Sequence, residues 1–314
     1  MGRSIHYEYG GGVEERGRLS FVFWAIVCLI LFTASAASPR VLQHFGLIFN
    51  MQEMQVSRAT EQAPAVQLQQ SVSEPLKEEV DTSIAVDPKL QKLIEQWAAR
   101  NPNQTWGVSV EVLGDEPVGA QYKATERFYP ASLYKLLITQ SLSEKVSADE
   151  WDKRTVYDYR GTHTYSQCVD LMIRLSDNPC GEAIGNAIGW PRVESRLGAI
   201  GLQNTKLNSH DNRFTTAADM SKFIRLLNDE PILSHRAKDQ VLNAMKVQKF
   251  RDGIPAGSPQ CTVYDKIGDL NGFKHDVALV ECGDITYALA IMSKGGSYKQ
   301  IADLASVINQ YLTN

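Results

Sequence analysis

The stretch YPASLYKLLITQ, residues 129 to 140, places Lys135 three residues after Ser132 at the head of an apolar run. Residues three apart share one face of a helix, so the amine can reach the hydroxyl beside it. A desolvated lysine loses basicity, and a neutral amine can take a proton from a serine. A helix that merely opens on a serine and snorkels a lysine toward solvent would carry the same letters. The choice between these readings rests on the rest of the chain.

Two further segments bear on it. A helix-like stretch, YSQCVDLMIRL, leads into Ser176-Asp177-Asn178, a loop closed by Pro179. Near the carboxy end, Asp265-Lys266-Ile267-Gly268 falls on a predicted strand. Each alone is weak, because S-D-N before a proline also suits a helix-ending turn. Their order and setting carry more. S-x-x-K opening a helix, S-D-N in a loop of a helical region and K-x-G on an edge-like strand form the set found in class A β-lactamases and penicillin-binding proteins.

Over roughly residues 88 to 314 the sequence resembles the class A β-lactamase and penicillin-recognising serine hydrolase family. Gly272 and Asp276 follow Lys266 much as in the family's "KTG…G…D" stretch, and Thr215 to Met220 is similar to the helix start after its omega loop. The resemblance implies that Ser132 attacks a carbonyl and is acylated, with Lys135 accepting its proton. It implies that Ser176 relays a proton to the departing nitrogen, that Asn178 binds the substrate's side-chain amide, and that Lys266 brings positive charge toward the substrate carboxylate. The backbone N–H groups of Ser132 and Asp269 would form the oxyanion hole. Gly268 suits a strand that a ligand must approach closely.

The sequence departs from the family at two places. Ile267 stands where K-T-G has a threonine, which removes a hydroxyl that meets the substrate carboxylate, and Lys274 is the residue expected to compensate. In the omega loop, Glu-x-x-Leu-Asn of the β-lactamases is matched by Asn204-Thr205-Lys206-Leu207-Asn208, and an amide cannot act as the general base that frees the acyl-enzyme. His210 and Asp211 are the candidate substitutes in the same loop, although both also suit a turn. The acyl-enzyme is therefore expected to persist with β-lactams. Tyr157, His163 and Tyr165 are candidates for lining the cleft, with a structural role the plainer expectation.

The chain has 314 residues, is 43% hydrophobic and carries a net charge of −4, so it can bury a substantial core and has no basic footprint for nucleic acid. Residues 19–37, LSFVFWAIVCLILFTASAA, are the long charge-free apolar run, preceded by Arg16 and Arg18. They read as an export element, either a cleaved signal or, given the long segment ahead, a membrane anchor with residues 1–18 as a cytoplasmic tail. Residues 38–86, much of them Gln, Glu, Ser and Ala with Pro64 and Pro75, read as a flexible linker to a domain over 87–314. No cysteine spacing fits zinc, and no metal or cofactor is expected. Cys261 and Cys282 flank a predicted hairpin and can form a disulfide if its strands pair level, the alternative being free thiols.

Asp87-Pro88 before KLQKLIEQWAAR predicts a capped helix, and TWGVSVEVLG with VGAQYKA predicts two alternating strands. From Pro130 to about Met245 the spacing is helical, with loops at 157–164, 176–180 and 203–214. CTVYDKI, HDVALVEC and ITYALAIMS then predict strands, followed by a last helix. The fold class is therefore α/β of the α+β kind: an antiparallel sheet built from both chain ends, flanked by helices, with an all-helical lobe over about 130–245. The expected activity is that of an exported, membrane-tethered serine hydrolase whose substrate is a β-lactam or related amide. The alternatives are a D-alanyl-D-alanine peptidase acting on cell-wall stem peptides, or a non-catalytic ligand-binding domain.

Overall fold

Asp87 accepts hydrogen bonds from the amides of Lys89 and Leu90 at 2.9 and 3.1 Å, and so caps the first helix as the sequence predicts. The computed structural model describes residues 84–208 and 212–314. The expected tail, the apolar run 19–37 and most of the linker lie outside these residues, as do His210 and Asp211. Among the described residues no helix is long and apolar enough to cross a membrane.

The chain begins with β1 (Ala85–Val86), α1 (Pro88–Ala99), β2 (Thr105–Val112) and β3 (Val118–Tyr122). The linker expected to run to residue 86 thus gives its last two residues to the sheet, where β1 pairs in parallel with β3. A 3-10 turn at Ala131–Leu133 leads into the lobe: α2 (Tyr134–Lys145), β4 (Thr155–Asp158), β5 (Gly161–Thr164), α3 (Tyr165–Arg174), α4 (Asn178–Ile188), α5 (Trp190–Ala199), α6 (Ala217–Asp229) and α7 (His235–Lys246). A short α8 (Ile254–Gly257) precedes β6 (Thr262–Leu270), β7 (Phe273–Cys282), β8 (Ile285–Lys294) and α9 (Tyr298–Thr313).

The main sheet runs β1-β3-β2-β8-β7-β6, antiparallel at every pairing but β1 with β3. It is assembled from the two ends of the domain, as the sequence predicts. Strand β8 lies inside it and is apolar on both faces. Ala288, Ala290 and Met292 point into the core shared with the lobe, while Tyr287, Leu289 and Ile291 point into the core under α1 and α9. That is the period-two alternation of a strand buried on both sides. On α1, Leu90, Ile94, Trp97 and Ala98 form the matching stripe. Helix α2 is buried nearly all round, Thr139, Gln140 and Ser141 included, so it shows no amphipathic stripe in the sequence.

Two local expectations are corrected. Residues expected as the loop 157–164 belong to a hairpin, with Thr155–Asp158 paired to Gly161–Thr164 across a two-residue turn. The strands are too short for alternation to register, and Arg160 folds back onto Asp158 to hold the turn. Pro179 does not close a loop but sits in the first turn of α4, where its missing N–H costs nothing. Disulfides join both Cys261 to Cys282, across the level β6–β7 pairing, and Cys168 to Cys180, a pair the sequence did not suggest.

Candidate active site

The head of α2, the turn between α3 and α4, and the edge strand β6 meet at a cleft of about 580 Å³ lined by Ser132, Ser176, Asn178, Ile267 and Asp269 among others. The backbone is strained where two of these elements arrive. Ala131 and Ser176 have φ of 46° and 57°, the left-handed region, at a cost of order 1–3 kcal/mol each. Ser176 is braced from both sides. Asp177 caps α4 by accepting from the Cys180 amide at 2.9 Å and is gripped by Arg160 of the hairpin at 2.8 Å. The Cys168–Cys180 disulfide ties α3 to α4 across the same turn.

Lys135 is fully buried. Its Nζ lies 2.9 Å from Ser132 Oγ and 2.6 Å from both the Ser176 carbonyl oxygen and Asn178 Oδ1. Those carbonyl oxygens can only accept. A neutral amine has two hydrogens and one lone pair, so donating to both carbonyls leaves the lone pair facing the Ser132 hydroxyl. Burial lowers the Lys135 pKa to about 8, against the pull of Asp177 and Glu182, which raises it.

Lys266 lies on the far side of Ser176. It is fully buried and donates to Ser176 Oγ at 3.1 Å and to its neighbour's carbonyl, Ile267 O, at 2.8 Å. Burial lowers its pKa to about 7, assisted by the positive charge of Lys135. Behind it, burial raises the carboxyl pKa values of Asp265 and Asp276. His275, which the sequence reading missed, fixes the approach to Ser132. Its Nδ1 accepts from the Ser293 amide at 3.2 Å, so Nε2 carries the hydrogen and donates to the Tyr129 carbonyl at 2.9 Å. Burial pushes its pKa down to about 4, which keeps this neutral form across the working range.

Gly268 lies against the turn that carries Ser132. A Cβ there would lie 3.0 Å from the Pro130 carbonyl oxygen and 3.1 Å from Leu133 Cγ, so its bare backbone lets β6 lie against the turn that carries Ser132. Lys274 is held by an acid on the neighbouring strand. It pairs across β7 with Asp269, whose two carboxylate oxygens hold the ammonium at 2.7 and 2.6 Å. Asp269 itself lines the cleft beside Ile267. The region read as a carboxylate-binding corner therefore presents an aliphatic side chain and a neutralised acid–base pair. Tyr157, His163 and Tyr165 do not line the cleft: Tyr157 is exposed on the hairpin, His163 faces Asp158, and Tyr165 is packed in the core. Asp158, Asp177 and Cys180 come close together, but the Arg160 guanidinium neutralises both acids and Cys180 is in a disulfide, so the group does not suit a metal.

The sequence profile of the β-lactamase enzyme family matches residues 87–312. The chain belongs to that family. No curated protein matches it significantly. Solved structures of the same fold include PBP-A, at 21% identity and TM-score 0.68, covering 73% of this chain and 97% of that one. A variant of PBP-A seen as an acyl-enzyme with penicillin G aligns at 21% identity and TM-score 0.67, covering 72% and 97%. A β-lactamase from Sphaerobacter thermophilus aligns at 18% identity and TM-score 0.62, covering 70% and 95%.

Within this β-lactamase family member, the described start of the loop expected to carry the water-activating group is held against α6. The Asn204 backbone N–H donates to Asp219 Oδ2 at 2.8 Å, Thr205 Oγ1 donates to the same oxygen at 2.7 Å, and Asn204 does not line the cleft. The loop's closing residue, Arg213, does line it, together with Glu182 and Tyr134. Arg213 is buried, stacks on the Trp190 ring at 4.0 Å and lies 3.5 Å from Glu182. Glu182 escaped the sequence reading because nothing marks one glutamate on a helix. The available clue was its spacing, four residues after Asn178, which puts the two on one helix face.

Proposed function

We propose that the protein is an exported, membrane-tethered serine hydrolase that opens an amide through an acyl-Ser132 ester, its acyl donor a β-lactam or a related cell-wall amide. The observation that carries this reading is the Lys135 amine 2.9 Å from Ser132 Oγ, with its hydrogens committed to two carbonyl oxygens. Lys135 takes the Ser132 proton as Oγ attacks the carbonyl. The proton passes through Ser176, which contacts both lysines, to the departing nitrogen. Asn178 contributes amide hydrogens to the substrate while its oxygen holds Lys135. The N–H groups of Ser132 and Asp269 take the oxyanion.

Export is supported by the two disulfides, which persist in an oxidising compartment, and by the apolar run 19–37. The acyl-enzyme seen for a PBP-A variant supports the same covalent step in a protein of this fold. The test is mass spectrometry of the full chain after exposure to a reporter β-lactam. An adduct on the peptide holding Ser132, absent in Ser132→Ala, is expected. An unmodified protein would instead favour a non-catalytic binding domain.

A further inference from the structure

An acyl-enzyme is released only if something takes a proton from the attacking water, and Asn204, whose side chain is an amide, does not line the cleft. From the geometry of the cleft wall we infer that Glu182 on α4 is the general base that hydrolyses acyl-Ser132. The inference rests on the acyl-Ser132 reading above.

Four observations place the carboxylate for this task. Glu182 follows Asn178 by one turn of α4, and Asn178 is the residue whose oxygen holds Lys135. Its backbone position is therefore about 6 Å further along the helix axis than that of Asn178, on the same face. Next to it, Gly181 has no side chain. A Cβ there would be 2.9 Å from the Tyr134 hydroxyl and 3.0 Å from Lys135 Cγ, so α4 lies flush against the lysine stem. The carboxylate is also held in place. The Tyr134 hydroxyl hydrogen-bonds to it, and Arg213, fixed by its stack on Trp190 and its bond to the Leu207 carbonyl, flanks it. Finally, it remains open to the cleft: 38% of the Glu182 side chain is accessible, against 3% for Arg213.

A carboxylate has about four acceptor sites, so two donors leave room for a water. The step balances. Glu182 takes a proton as the water oxygen bonds to the ester carbon, the carbon–Oγ bond then breaks, and Ser132 Oγ leaves with the proton Glu182 had accepted. Water and ester become acid and free serine, and the carboxylate is restored.

The experiment is a pre-steady-state trace of the full chain with a chromogenic β-lactam at pH 9, where Lys135 is mostly neutral. Glu182→Gln keeps the shape and an acceptor for Tyr134. It should leave the burst within a few-fold of wild type and slow the following phase by roughly 10²–10⁴. In Glu182→Ala, added formate should restore part of the slow phase. Release at the wild-type rate in Glu182→Gln, or a burst that falls in step with the slow phase, overturns the assignment while leaving acyl-Ser132 standing. Wild-type protein that shows neither burst nor adduct overturns the parent reading. If Glu182→Gln does not fold, Glu182→Asp decides. That variant keeps the charge facing Arg213 and should form the ester normally but release it slowly, and release at the wild-type rate would count against Glu182.

Discussion

The pH dependence of acylation follows from where the two lysines sit. With its pKa near 8, Lys135 is about 1% neutral at pH 6 and about 90% neutral at pH 9. If the neutral amine takes the Ser132 proton, acylation should rise about 90-fold between those values and level off. A lysine at its ordinary value would give a rise of about 1,000-fold with no plateau. Lys266 shares Ser176 with Lys135 but is itself lowered to about 7, so it is already mostly neutral over this limb and the midpoint should lie near 8. Lys135→Ala should lower acylation by roughly 10²–10⁴ and abolish the limb. The assay is the burst rate with a chromogenic β-lactam whose own ionisation lies outside the range. A rise that continues past pH 9.5, or a limb that survives in Lys135→Ala, would refute the argument.

Other outcomes are open to direct measurement. Asp269→Asn should free Lys274 and improve acylation by a carboxylate-bearing substrate over its ester by about tenfold or more, since a charge-assisted hydrogen bond contributes roughly 1.5–3 kcal/mol. Equal effects on the two substrates would show that Lys274 does not reach them. Replacing Cys168 and Cys180 together by Ser should lower stability by about 2–4 kcal/mol, read by denaturant titration, and slow acylation because Ser176 loses a brace. A chain beginning at Ile84 should fold and acylate like the full protein, because residues 50–83 carry no sustained apolar period with which to order themselves. Circular dichroism melting with the burst assay checks this.

The sheet was legible from its period-two strands and the Ser132–Lys135 pair from its three-residue spacing, whereas the place of Ser176 and Lys266 beside them was implied by the family resemblance of three motifs in a fixed order. What was not legible depends on contacts between distant elements. The partner of Lys274 is set by the β6–β7 register, which decides that Asp269 stands opposite it. Cys168 and Cys180 meet only because α3 and α4 fold back over the strained turn at Ser176, and Pro179 reads as a stop until Asp177 is seen to cap a new helix. His275 looks like an ordinary strand residue, and only its two buried partners give it a task.

The placement of β8 between β2 and β7 has a consequence for how the chain acquires its shape. Val108 pairs with Ile291, about 180 residues later, so the β2 edge of the amino-terminal hairpin has no neighbour in the sheet until nearly the whole chain is made. Pairings of such long range close slowly, because the loop entropy is lost before the contacts form. Until β8 arrives, β2 presents an unpaired edge rich in valine, a template for pairing with other chains. A protein built this way gains from being kept extended while it is made and delivered. Late truncations that remove β8 should therefore yield aggregation rather than a smaller folded domain.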